Sequence, residues 1–171
     1  RELATQRGLI VTGSEIVGLI PFQAMYQAGR YYLERQGRST GVPVKDIINM
    51  AAHSMGLNDV SSFNPEEKIL GIPQTDEGPL VSLKTAELVH EVSRETPAPG
   101  GGSIAALAGA LGSALASMVS NLTVGKKGYE SAWEELKKLA DDAQKVKDKL
   151  LLAVDNDTNA FNAYMEARRL P

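Results

Sequence analysis

The run at residues 96–103 (TPAPGGGS) holds residue types that can shape a ligand site. Pro97 and Pro99 stiffen the approach, and the glycines that follow let a ligand come close to the backbone. Ser103 then begins a charge-free stretch, and the free N–H groups at the start of a helix attract anionic groups. Taken alone, this composition is more typical of a linker.

The residues after this run favour a site over a linker. Small residues recur every four positions at Ala105, Gly109, Ser113 and Ser117, which lets another backbone or a flat ligand approach closely. The stretch 104–124 carries no charge and is about as long as a membrane span, which needs ~20 apolar residues. Because it also contains several Ser, Asn and Thr residues, we expect a buried bundle helix that binds a ligand at its start, and no membrane contact.

Two carboxylates near the end of the chain are candidates for proton transfer. An apolar stripe that reaches Val154 continues through Asp157, so Asp157 is predicted to face the buried side. A buried carboxylate is costly unless it is paired or used in chemistry. The alternative, a paired core aspartate or a helix kink, is equally compatible with the spacing. Asp155 lies to one side and is expected to be solvated.

Lys126 and Lys127 follow the charge-free helix at the end far from the glycines. The default interpretation is a solvated turn. In an antiparallel oligomer, however, they could meet the site of another subunit and bind carboxylates. His53 and His90 are expected to be surface or structural residues.

Composition excludes several classes of protein. The chain has 171 residues, a net charge of -3 and no strongly basic run, so we expect no nucleic-acid partner. It has no cysteine and only two well-separated histidines, so we expect neither disulfides nor a metal site. The lack of cysteine and of a signal peptide fits a cytoplasmic protein.

The pattern along the chain predicts an α+β fold that is mostly helical. Residues 1–70 read as mixed α and β: a strand over 9–19, a helix over about 21–36, a helix from Pro43 to Gly56, and a short turn capped by Asn64. Residues 71–80 have a linker composition, and 81–171 are predicted to form part of an all-helical bundle. Its helices should cover 82–95, 103–125 and 129–170.

These motifs resemble one known family. TPAPGGGS, TVGKK and DNDTNAFNAYMEARRLP are similar to the cyclodeaminase domain of formimidoyltransferase-cyclodeaminases. VTGSEIVGLIP and GLNDVSSFNPEEKIL resemble the last part of the formimidoyltransferase domain. The resemblance therefore covers nearly the whole chain, in the order of the bifunctional enzyme.

The resemblance implies a folate-dependent function in histidine breakdown. The transferase moves a formimidoyl group from N-formimidoyl-glutamate to tetrahydrofolate, and the cyclodeaminase closes the ring to methenyl-tetrahydrofolate and releases ammonia. It also implies that no metal is needed, that the protein is a homo-oligomer, and that the folate can be polyglutamylated.

The resemblance also implies roles for individual residues of this sequence. Gly100, Gly101, Gly102 and Ser103 would line the folate pocket, with Asp157 as the acid/base and Asp155 as the second choice. Lys126 and Lys127 would hold the folate or its glutamate tail. The folate-facing part of the transferase would include Gly13, Ser14 and Glu15.

The transferase's N-terminal half, with its catalytic histidine, and the later cyclodeaminase helices have no counterpart here. We therefore interpret the chain as a fragment that spans the domain junction, with both sites incomplete, and expect no turnover from it alone. Two alternatives remain: a non-enzymatic helical interaction module, or a transferase with a degenerate helical appendix.

Overall fold

The computed structural model describes residues 2–170 and is a mostly helical α+β structure, as predicted. The N-terminal half contains α1 (Glu2–Gln6), β1 (Ile20–Pro21), α2 (Phe22–Arg35), α3 (Val44–Met55), α4 (Pro65–Lys68) and β2 (Ile69–Leu70). The C-terminal half contains α5 (Thr85–Val92), α6 (Gly101–Thr123), a 3-10 turn (Glu130–Ala132) and α7 (Trp133–Ala167). The strands β1 and β2 pair in parallel, with Ile20 opposite Ile69.

The helix pair α2–α3 forms the core of the N-terminal half, and its predicted bounds are confirmed. Met25 on α2 packs among the buried face of α3, which includes Ile48 and Ala51. The two helices approach closely at Gly29, where a methyl group would overlap the backbone of Ile47. Gly56 ends α3 with φ 68°, a left-handed conformation that glycine adopts without strain.

The predicted strand over residues 9–19 is wrong. This segment is irregular, and most of its β-branched side chains are exposed, with Ile10 at 90% and Val17 at 92%; Ile16 is partly buried and packs against the core of the N-terminal half. A strand needs a neighbour for its backbone groups, and the described residues place none beside it. The helix predicted over 82–95 is shorter in the structure, where it covers Thr85–Val92. Ser82 lies in the preceding turn, and its backbone N–H donates to the carbonyl of Gly78.

Helices α6 and α7 pack antiparallel along their length, with Ser103 against Val154 and Ser117 against Gln144. The buried face of α6 is small and polar, and its large apolar side chains point outward, among them Leu111, Leu115 and Leu122. Within residues 2–170, α6 is the one helix that length and composition would allow to cross a membrane.

A loop of the N-terminal half joins the two halves. Ser39, Thr40 and Gly41 are buried, and the carbonyl of Gly41 accepts hydrogen bonds from Ser117 Oγ at 2.8 Å and Asn121 Nδ2 at 2.7 Å. Thr40 Oγ1 donates to Asp141 on α7 at 2.8 Å.

Arg30 on α2 reinforces this junction. Its guanidinium lies 2.7 Å from the carboxylate of Asp141, and this hydrogen bond raises the pKa of Arg30 above its ordinary value. The halves therefore contact each other directly, through α2 and the loop at residues 39–41 on one side and α6 and α7 on the other.

Candidate functional site

A pocket of about 280 Å³ lies at the start of α6. Three segments form it: the loop before α6, the first turn of α6, and one face of α7. The residues that line it are Pro97, Ala98, Gly100, Gly101, Gly102, Asp157, Thr158 and Phe161.

The first turn of α6 presents backbone donors at this pocket. The first hydrogen bond inside the helix runs from the N–H of Ile104 to the carbonyl of Gly100, at 3.3 Å. The N–H groups of Gly101, Gly102 and Ser103 precede that bond, so the helix itself provides them with no acceptor. Groups of this kind, together with the helix dipole, favour a negative or polar ligand atom.

The carboxylate of Asp157 lies directly against Gly102. A methyl group built on Gly102 would overlap both carboxylate oxygens, so the absence of a side chain there makes room for the acid. A carboxylate beside unpaired N–H groups can accept or donate a proton while the donors hold a polar ligand atom. This combination can support proton transfer on a bound ligand.

The predicted burial of the two aspartates is reversed in the structure. Asp157 is exposed to the pocket and solvent, whereas Asp155 is 7% exposed. The apolar stripe did place Val154 in the core, at 0% exposure. Asp155 is buried because a separate segment at residues 78–81 covers it, and helical spacing carries no information about that segment.

Ser103 is fully buried and does not line the pocket. Its hydroxyl lies 2.7 Å from the carbonyl of Val154, 3.2 Å from Asp157 Oδ2 and 3.0 Å from Thr158 Oγ1. These contacts join the first turn of α6 to the turn of α7 that carries Asp157. Ser103 therefore fixes the position of the carboxylate, while the three glycines form the pocket wall.

The remaining predicted site residues lie elsewhere. Lys126 and Lys127 are exposed beyond the far end of α6, roughly 35 Å along a 23-residue helix from the glycines. Within this chain they do not reach the pocket.

The N-terminal candidates lie in the other half of the chain. Ser14 donates to the carbonyl of Met55 at 2.5 Å and lines an open cavity of about 460 Å³. Gly13 packs against Asp59, and Glu15 is exposed outside that cavity. The structure thus separates these residues from the pocket at α6.

Thr158 and Phe161 line the pocket and were not among the predicted site residues. Phe161 follows Asp157 by four residues, so its place on the same helical face was readable from spacing. The place of Thr158 in the pocket could not be predicted from spacing, because it depends on how α6 packs against α7. Within residues 2–170, no group of three or more His, Asp or Glu side chains is arranged to hold a metal ion.

Comparison with known families covers both halves. The profile of the family described as formiminotransferase-cyclodeaminase matches residues 84–171, and that of the formiminotransferase domain matches residues 1–72. The chain belongs to the formiminotransferase-cyclodeaminase family. The family resemblance that the motifs indicated is thereby confirmed.

Curated relatives carry the same name. The formimidoyltransferase-cyclodeaminase of Mus musculus is 34% identical over 174 residues, which cover 100% of this chain and 32% of the mouse protein. That of Gallus gallus is 35% identical over 167 residues, covering 95% and 30%. The chain thus spans about a third of the length of these relatives.

A shorter match covers about half of the chain and is to a relative with a different name. The methenyltetrahydrofolate cyclohydrolase of Methylorubrum extorquens is 41% identical over 80 residues, which cover 47% of this chain and 38% of that protein. This relative is named for a folate, methenyltetrahydrofolate.

Proposed function

We propose that this chain contributes to a bifunctional folate enzyme. It would transfer a formimidoyl group from N-formimidoyl-glutamate to tetrahydrofolate and then close the ring to methenyl-tetrahydrofolate. The observation that carries the proposal is the carboxylate of Asp157 against Gly102 at the N-terminus of α6. The family membership and the names of the relatives support it.

The chemistry of ring closure fits the geometry of this pocket. The second folate nitrogen attacks the formimidoyl carbon and loses its proton, and the C–N bond to the amino group breaks as ammonia leaves. Asp157 can take the proton from the attacking nitrogen and return it to the departing amine. The N–H groups of Gly101 and Gly102 would hold polar atoms of the folate during both steps.

The pocket volume supports a folate that is only partly enclosed. Pockets for small molecules commonly measure about 300–1,000 Å³, so a space of about 280 Å³ would hold the reacting end of a folate and leave its tail outside. A tail that runs over the surface can carry additional glutamates, and we propose that polyglutamylated folate is accepted.

We further propose a homo-oligomer in which two copies of α6 pair antiparallel. One exposed face of α6 carries small residues in its first half and large ones in its second: Gly101, Ala105, Ala108, Gly112, Leu115, Val119 and Leu122. Antiparallel pairing centred on Gly112 sets the small residues of one copy against the large residues of the other. It also brings Lys126 and Lys127 of one copy towards Asp157 of the other, where they could bind a glutamate tail.

Leu115→Lys tests this pairing. A charge in the centre of the apolar face is expected to shift the protein to monomer in sedimentation velocity, and to weaken polyglutamylated folate binding about tenfold as the second copy's lysines are lost. The matched control is Leu152→Lys on α7, which is 46% exposed against 57% for Leu115. Equal oligomer size for both variants and the unchanged protein would contradict the pairing.

A cytoplasmic location and a role in histidine breakdown complete the proposal. The role in histidine breakdown rests on the family resemblance, and the location rests on the lack of cysteine, which fits a reducing compartment. Cell fractionation, and accumulation of N-formimidoyl-glutamate in a deletion strain, are the measurements that check them.

Gly102→Ala tests the pocket itself. The added methyl is expected to displace the Asp157 carboxylate and to lower ring closure at least about tenfold, since a displaced catalytic group loses its alignment. Stopped assays of methenyl-tetrahydrofolate formation should use the polypeptide extended to the length of its relatives. Gly101→Ala is the matched comparison and should cost less activity, because it adds a methyl to the same pocket wall without meeting any protein atom within 4 Å, so the carboxylate of Asp157 stays in place. If both variants lose activity equally, the assigned contact with Asp157 is not the reason.

A further inference from the structure

Asp155 is a buried carboxylate that the proposed chemistry does not use. Its Oδ1 accepts a hydrogen bond from the backbone N–H of Leu80 at 2.7 Å, and its Oδ2 accepts one from the N–H of Val81 at 3.2 Å. A methyl group on Gly78 would overlap the same carboxylate. Both oxygens are therefore occupied by a segment 74 or more residues earlier in the chain.

The segment that Asp155 holds is a compact turn. Within it, Ser82 donates to the carbonyl of Gly78 at 3.0 Å, and Leu83 donates to that of Leu80 at 3.1 Å. Leu80 packs with Leu88 of α5 and with Val154 of α7 in one buried cluster. Because a carboxylate that accepts two backbone N–H bonds fixes the donors strongly, Asp155 anchors both this turn and the helix that follows it.

Helix α5 leads directly into the pocket wall. It ends at Val92, and the chain then runs to Pro97, Ala98 and Gly100, which line the pocket at Asp157. The same turn of α7 thus presents Asp157 to the pocket on one side and Asp155 to the anchored turn on the other. The anchored turn at residues 80–81 is therefore connected through α5 to the wall at 97–100 that faces the carboxylate of Asp157.

We propose that Asp155 is a positioning residue for the folate pocket and takes no part in proton transfer. This rests on the proposed function, because the pocket is taken to bind folate. Loss of the anchor loosens the wall but leaves Asp157 and its contact with Gly102 in place. Weaker substrate binding with an intact chemical step is the expected consequence.

Asp155→Asn and Gly78→Ala disturb the anchor from opposite sides. The asparagine keeps one acceptor but turns its NH₂ group towards a backbone donor, while the alanine methyl displaces the carboxylate. Each is expected to raise KM for formimidoyl-tetrahydrofolate about tenfold, with kcat changed by no more than about twofold, in the enzyme extended to the length of its relatives. An Asp155→Asn variant that loses kcat a hundredfold at unchanged KM would overturn the proposal.

Hydrogen exchange gives a readout that does not depend on activity. In the unchanged protein the amides of Leu80 and Val81 should be protected, and in both variants they should exchange faster together with those of Ala98 and Gly100. Faster exchange at 80–81 with no change at 98 and 100 would show that the anchor does not reach the wall, and would overturn the proposal. Absence of folate binding by the unchanged enzyme would instead refute the proposed function, while exchange still reports on the anchor.

Discussion

Asp157→Asn is expected to reduce ring closure by roughly two to four orders of magnitude, the usual contribution of a general acid–base group. An amide at this position has nearly the same size and can still lie against Gly102, but it cannot accept a proton from the attacking nitrogen. Formimidoyl transfer should continue at its normal rate, since no residue of the pocket at α6 belongs to the N-terminal half. The measurement compares methenyl-tetrahydrofolate formation with formimidoyl-tetrahydrofolate formation in the extended enzyme.

Asp142→Asn is a matched control for this substitution. Asp142 lies on the same helix, is exposed, and pairs with Lys145 at 2.8 Å far from the pocket. It should leave both activities unchanged. If Asp157→Asn abolishes transfer and ring closure alike, either the residue or the division of the two reactions between the halves is wrong. If it retains ring closure, Asp157 is not the proton-transfer group.

Gly41→Ala should lower the stability of the protein strongly. A methyl group there would overlap both the side chain and the backbone of Ala140, so neither helix nor loop can adjust by a simple rotamer change. Moving the loop also weakens the hydrogen bonds that Ser117 and Asn121 donate to the Gly41 carbonyl. Overpacking costs about 1–3 kcal/mol and each lost hydrogen bond about 1 kcal/mol, so we expect a decrease of about 3 kcal/mol in unfolding free energy.

Urea unfolding followed by circular dichroism checks this expectation. Because the loop joins the two halves, Gly41→Ala should also separate one cooperative transition into two, with α2–α3 and α6–α7 losing structure at different urea concentrations. Gln27→Ala provides the control, since Gln27 is exposed on α2 and lies outside the loop at residues 39–41, and alanine favours helix slightly more than glutamine. A single transition with an unchanged midpoint in Gly41→Ala would show that the loop does not couple the halves.

Local sequence signals predicted most of the helices. The proline at each start and the glycine after α3 act within one turn of their own position, so the bounds of α2 and α3 were readable without tertiary information. The existence of α6 and α7 was predicted in the same way, although α6 begins at Gly101, two residues before its predicted start, and α7 covers Trp133–Ala167 within the predicted 129–170. The strand predicted over 9–19 failed because strand formation depends on a neighbour elsewhere in the chain.

In the candidate site, too, some features could be predicted from nearby residues and others depended on contacts with distant segments. Residue types and helical spacing indicated the glycine run and the 155–157 turn as candidates, because both belong to continuous segments, and the family resemblance then favoured a site over a linker or a structural aspartate. The roles within it depended on tertiary contacts: residues 78–81 cover Asp155, Gly102 makes room for Asp157, and α7 buries Ser103. Helical periodicity predicts which face of a helix a residue lies on, but only the packed neighbours decide whether that face meets solvent, a pocket or another backbone.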